Sequence, residues 1–253
     1  MARSPFHVAS GKTIAPAGAA MSGPDAEQRV VTAVVDAILN HRIGPGERLI
    51  ERELGKYSGA SRTAIRNGML KLAHAGLVEL SPNRGATIAM CSPDEAREIF
   101  DARIVIEDAS LRRLATSLTA AGLEQLEAIV SQESDAYEAG EMEQARHLSR
   151  RFHLLFTELA GNDVLTRIIR DLINRQPLLS WTRPQPAPRF CGNTAHSAIL
   201  AALARGDGVE AARLNTEHLR ELERELDADR DAAIGDVGRT RQEEAGEVGT
   251  PHP

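Results

Sequence analysis

A chain of 253 residues with a formal net charge of −6 is long enough for two modest domains, each with its own core. Aromatic residues make up only 3% while alanine, leucine and arginine abound, which favours helices over a β-sandwich. Cys91 and Cys191 fit no metal or redox spacing, no apolar run nears the roughly 20 residues of a membrane span, and the N-terminus lacks signal-peptide order; the expectation is a cytoplasmic protein with free thiols.

Residues 1–24 mix Ala, Gly, Pro and Ser without apolar periodicity and read as a disordered tail, as do the Gly-, Glu- and Arg-rich residues 230–253. Val30, Val31, Val34, Val35, Ile38 and Leu39 then form an apolar stripe at helical spacing, closed by Gly44-Pro45-Gly46. A short second helix fits 51–57, with Glu51 and Glu53 in its first turn. The third helix begins at Ser61, a good N-cap residue. It turns Ile65, Met69 and Leu72 inward and places Arg62 and Arg66 on a neighbouring face. Strands over 77–80 and 86–89 around a turn at 82–85 complete a two-stranded wing, so residues 25–90 read as a winged helix-turn-helix.

Ser92-Pro93-Asp94-Glu95 opens a second unit, 91–229, with six helical segments near 93–119, 121–139, 141–160, 162–181, 188–205 and 207–229. Short links between amphipathic helices of this length predict an antiparallel bundle. The overall expectation is a mainly α protein: a winged head with a small β wing, and an all-α bundle of six to seven helices. Charge divides the same way. Residues 25–90 carry nine Lys/Arg against seven Asp/Glu, +2, whereas 91–229 carry sixteen against twenty-four, −8. A DNA-reading head on an acidic body fits that contrast, because phosphate contact needs local positive charge.

The head resembles the GntR family of bacterial transcriptional regulators. The matching residues are Ile43-Gly44-Pro45-Gly46-Glu47-Arg48-Leu49, Glu51-Arg52-Glu53-Leu54, Ser61-Arg62-Thr63 with Arg66, Gly76-Leu77-Val78 and Gly85. The resemblance implies that Arg52, Arg62 and Arg66 contact operator bases and phosphates, with Ser61, Thr63 and Arg84 beside them, and that Gly85 lets the wing approach the minor groove. An arginine fork matches guanine O6 and N7, and glycine allows close backbone approach. Against the family pattern, Asn67 stands where glutamate is usual and Gly68 where alanine is usual, the latter costing about 0.5–1 kcal/mol within a helix. Tyr57-Ser58-Gly59-Ala60 is also a less apolar turn than the family's. These departures bear on which operator is read.

In the body, His153, His196 and His218 lie on three different helical segments, in line with Leu and Ile neighbours, and so face the interior. A lone inward histidine is ordinarily a hydrogen-bonded core residue; three on facing helices suit a divalent metal. The body resembles the effector-binding FCD domain of FadR-type GntR regulators, with the VanR-like group as a possible home. Its landmarks are Arg103 with Glu107, Phe152-His153, Leu159-Ala160-Gly161-Asn162, and His196 with the 201–207 segment and His218. Metal-binding members carry an aspartate one turn before the first histidine, and here that position is Ser149. Three imidazoles still suit Zn²⁺ or Ni²⁺ completed by water or an effector carboxylate. Arg103 and Glu107 read either as an ordinary i,i+4 ion pair or, as the resemblance implies, as a carboxylate clamp for an organic acid.

The leading expectation is a homodimeric repressor whose hold on double-stranded operator DNA is controlled by a small carboxylate in a site of Arg103, Glu107, Ser149, His153, His196 and His218. The rival is a metal-dependent enzyme built on the same histidines, but no general base or nucleophile motif accompanies them. An architectural DNA binder with a solid bundle is the third reading.

Overall fold

The architecture comes from a computed structural model that describes residues 23–40, 42–81, 85–179 and 192–226. Both tails, most of the wing turn with Arg84, and Cys191 lie outside the described residues.

Helix α1 (Pro24–Leu39) starts with proline in its first turn and buries Ala26, Val30, Ala33, Val34, Ala37 and Ile38 on one face. After the glycine-proline turn come strand β1 (Arg48–Leu49), α2 (Glu51–Ser58) and α3 (Arg62–His74). Gly59 closes α2 in the left-handed conformation at φ 65°, and the Ser61 hydroxyl accepts from the Ala64 amide at 3.3 Å to cap α3. Strands β2 (Val78–Ser81) and β3 (Gly85–Ile88) pair antiparallel with Leu80 opposite Ala86. The expected two-stranded wing is in fact a three-stranded sheet in the order β1-β3-β2, because β1 pairs with β3 through Arg48 opposite Thr87. Ala86 and Ile88 alternate inward along β3 and join the core of the three head helices.

The two departures at 67 and 68 both face α1. A Cβ built on Gly68 would lie 2.8 Å from Cγ1 and 2.9 Å from Cβ of Val30, so the missing side chain lets α3 settle onto α1. Asn67 donates from Nδ2 to Glu27 at 2.8 Å, and Lys71 pairs with the same carboxylate at 2.7 Å. Asn67 therefore fastens two helices together rather than offering its amide to a base.

The body consists of α4 (Pro93–Ala115), α5 (Ala120–Glu138), α6 (Met142–Leu159), α7 (Asp163–Leu179), α8 (Gly192–Ala204) and a last helix, α9, over 208–226. Ser92 and Thr119 cap α4 and α5 through their hydroxyls. Leu111, Leu114, Leu126, Phe152, Phe156, Ile199, Leu203 and Ala211 form the main core, drawn from α4, α5, α6, α8 and α9. Leu178, near the end of α7, packs into the head's core, while its neighbour Leu179 joins Ile99, Phe100 and Leu219 at the base of the bundle.

Candidate functional site

The head displays its basic residues on one side of α3. Arg62, Thr63 and Arg66 are all exposed at its N-terminal end, while Ala64, Ile65, Gly68, Met69 and Leu72 hold the opposite side in the core. Ser61 is spent on the cap. Arg52 is exposed on α2 beside Glu53, and Arg66 Nε lies 3.5 Å from Glu51, weak surface pairs that DNA phosphates can displace. Gly85 has φ +85°, a value that strains any side-chain-bearing residue, at the exposed start of β3. Arg48, not expected as a site residue, lies against it: a Cβ on Gly85 would be 3.7 Å from the Arg48 guanidinium. Strand pairing puts that cation at the wing, and no periodicity marks a two-residue strand.

The three histidines converge. His153, His196 and His218 are buried on α6, α8 and α9, with potential ligand atoms all within 4.8 Å of one another. His196 Nε2 lies 3.2 Å from His153 Nε2 and 3.2 Å from His218 Nε2. The rings of His153 and His218 stack at 9°, and Phe152 lies against His196 with centroids 4.6 Å apart.

Buried carboxylates fix the far side of two imidazoles. His153 Nδ1 is 2.8 Å from Glu107 Oε2, and His196 Nδ1 is 2.7 Å from Glu133 Oε2. Burial alone would raise the Glu107 carboxyl, but the Arg103 cation, the charge and hydrogen bond of His153, and the hydrogen bond from Asn215 bring it down to about 2. Glu107 is thus an acceptor, so His153 donates through Nδ1–H and its Nε2 carries a lone pair. The same geometry at Glu133, 2.7 Å from His196 Nδ1, turns His196 Nε2 inward. Two lone pairs then point at each other across 3.2 Å, an arrangement that calls for a cation between them. Burial holds His153 down at about 4 and His218 well below its usual range, which disfavours a proton on either of them.

Around this cluster, Arg103 donates from Nε to Glu107 at 2.8 Å and from Nη1 to Gln176 at 2.9 Å. The Arg103–Glu107 pair is fully buried rather than a surface i,i+4 pair, and two of the fork's three nitrogens are engaged. Arg103 Nη2, Asn215 Oδ1 and Glu133 Oε1 are buried without a hydrogen-bond partner among the described residues. Ser149 is half-buried on α6 and makes no hydrogen bond to the imidazoles, so the carboxylates that serve the cluster are Glu107 and Glu133 instead.

Residues 26–88 match the "Bacterial regulatory proteins, gntR family" profile, and residues 98–221 match the FCD domain. The HTH-type transcriptional repressor RspR of Escherichia coli K12 is 30% identical over 188 residues, covering 73% of this chain and 82% of RspR. The chain belongs to the GntR family, in the group that carries an FCD domain. An uncharacterized HTH-type regulator, YdfH of E. coli CFT073, is 29% identical and covers 79% of this chain and 88% of its own length. The structure of E. coli McbR/YncC shares the fold, with a TM-score of 0.73 at 21% identity, covering 81% of this chain and 98% of that one.

As a GntR regulator the chain acts on transcription, and its relatives are regulators rather than enzymes. The winged head is its operator-binding module and the FCD bundle its effector module. No described helix is long and apolar enough to cross a membrane. Sequence reasoning missed Glu133, Asn215 and Gln176 around the buried site. The first two had a usable signal: Leu126, Val130 and Glu133 follow one another on the buried face of α5, and Ala211, Asn215 and His218 on that of α9.

Proposed function

We propose that this GntR regulator is a cytoplasmic, homodimeric repressor that releases its operator when a small organic acid binds beside a divalent metal held by His153, His196 and His218. The observation that carries the metal is the pair of facing imidazole lone pairs, each fixed by a buried carboxylate on the far nitrogen. That pattern, with Nδ1 tied to a carboxylate and Nε2 offered inward, suits metal-ligating histidine. Metal–nitrogen bonds of about 2.1 Å put neighbouring ligand atoms roughly 3.0–3.4 Å apart for octahedral to tetrahedral angles, which brackets the 3.2 Å from His196 to each of the other two imidazoles, and all three ligand atoms lie within 4.8 Å of one another. Zn²⁺ or Ni²⁺ bound there supplies a Lewis-acidic pole for an anionic oxygen.

The chain's own residues define what joins it. Arg103 offers Nη2 to an acid's oxygen, and Asn215 Oδ1 and Glu133 Oε1 offer acceptors to a hydroxyl or amine. Unsatisfied buried groups cost about 1–3 kcal/mol each, so a ligand that meets them binds with that advantage. Arg62, Thr63 and Arg66 are assigned to the major groove, Arg52 to phosphate, and Arg84 and Gly85 to the wing's contact; Ser61 and Glu107 are positioning residues.

A mobility-shift assay on DNA upstream of its own gene, repeated with zinc and candidate acids, tests the proposal. It expects a specific complex that a particular acid weakens. Retardation unaffected by any acid, or calorimetric acid affinity unchanged by Arg103→Lys, would contradict it.

A further inference from the structure

One turn of α7 touches three parts of the molecule at once. Gln176 accepts from Arg103 Nη1 at 2.9 Å, at the edge of the histidine site. Its neighbour Arg175 pairs with Glu95 in the first turn of α4, just after the head joins the body. The same guanidinium lies over the turn between α3 and β2: a Cβ on Gly76 would be 3.0 Å from Arg175 Cζ. Gly76 has φ +72°, a backbone conformation that favours glycine, and Arg175 covers the place a Cβ would take. Leu178, two residues on, is buried in the head's core.

Pro177 stands inside the helix among these residues. It has no N–H to give the Ile173 carbonyl, so the helical ladder loses a bond where the three contacts diverge. The head does not pack solidly here. A cleft of about 240 Å³ lies beside the contact, lined by Gly76, Val78, Met90, Cys91, Glu95 and Arg175 among others.

We infer that residues 175–178 are the coupling element of this regulator: Gln176 senses the position of Arg103, and Arg175 with Leu178 transmits it to the α3–β2 turn that carries the DNA-reading helix. The inference rests on the buried histidine cluster being the effector site. A ligand oxygen that draws Arg103 Nη2 toward the cluster strains the Nη1 bond to Gln176. The last turn of α7 responds at the proline, and Arg175 and Leu178 move on the head. Gln176, Arg175 and Leu178 are positioning residues: Gln176 acts through Arg103, and Arg175 and Leu178 through the head.

A double-mutant cycle on operator affinity tests this without any effector. Arg103→Lys keeps a cation beside Glu107 but gives up the reach to Gln176, and Arg175→Ala releases the head turn. Kd for an operator duplex selected with the full chain is measured by fluorescence anisotropy for wild type, both single variants and the double variant. Arg103→Lys is expected to change Kd at least fivefold in the wild-type background and less than twofold when residue 175 is alanine. Additive effects within twofold, or no effect of Arg103→Lys at all, overturn the inference. If Arg103→Lys does not fold, Gln176→Ala breaks the same contact from the other helix and is read by the same criteria. Zinc calorimetry on the wild type reports the metal site separately, so either idea can fail without the other.

Discussion

At the scale of single residues, charge burial decides the consequences of substitution. Arg103 and Glu107 are both buried and 2.8 Å apart, so removing one leaves an uncompensated ion in the bundle. Arg103→Ala is expected to destabilise the chain by about 3–5 kcal/mol in chemical denaturation, far more than an exposed helix pair would cost. Gly68 offers the opposite surprise. Helix propensity says Gly68→Ala should stabilise α3 by about 0.5–1 kcal/mol, but the new methyl would meet Val30 at under 3.0 Å. Overpacking wins, and the variant is expected to lose roughly 1–3 kcal/mol. A higher melting temperature for Gly68→Ala would show that α1 yields. Arg62→Ala and Arg66→Ala, on the exposed side of α3, should leave stability unchanged while weakening operator binding by about 1–3 kcal/mol each if they contact bases.

At the scale of elements, what was legible followed periodicity and punctuation. Ser61 and Ser92 are caps in the structure as their positions predicted, and where the expected bounds of the body helices fall on described residues the observed ends lie within a few residues of them; the expected end at 181, start at 188 and end at 229 lie outside the described residues. The inward direction of three histidines followed from their apolar neighbours at helical spacing. Strand β1 was not legible, because two residues carry no alternation and its existence depends on β3 arriving beside it. Glu133 is legible only in part: helical spacing from Leu126 and Val130 puts it on the buried face of α5, but its partner shows only where α8 brings His196 within 2.7 Å of it. Ser149 drew attention as a lost ligand, yet the carboxylates at this cluster come from α4 and α5, far away in sequence and on the other side of the imidazoles. The element-scale expectation is that Glu133→Gln, which keeps the shape of α5 but takes away the anion behind His196, weakens zinc binding about 10–100-fold in a competition titration. Unchanged affinity would mean that the carboxylate does not set that imidazole's tautomer.

At the scale of the whole molecule, a head with local positive charge and an acidic body meet where the start of α4 and the end of α7 face the head and where α1 packs on α7. Regulation through such a contact is a shift between arrangements, limited by the difference in ligand affinity between them. A homodimer presents two α3 helices to half-sites about one helical turn, or a multiple of it, apart. Footprints protected as paired half-sites with that spacing are therefore expected, and a single protected half-site would argue for a monomer. Metal binding stabilises the folded chain by mass action, worth about 2.7 kcal/mol at a hundredfold excess over Kd. Chelator treatment should lower the melting temperature accordingly.

A metal site at the buried histidines and a core of imidazoles that satisfy one another differ in their affinity for zinc. Calorimetric titration of chelator-stripped protein with Zn²⁺, wild type against His196→Ala, separates the two, since His196 is the imidazole 3.2 Å from each of the others. A metal site gives one tightly bound ion per chain in the wild type and at least a hundredfold loss of affinity in a variant that remains folded by circular dichroism. Zinc binding of equal strength in both proteins, or none in the wild type, would contradict it.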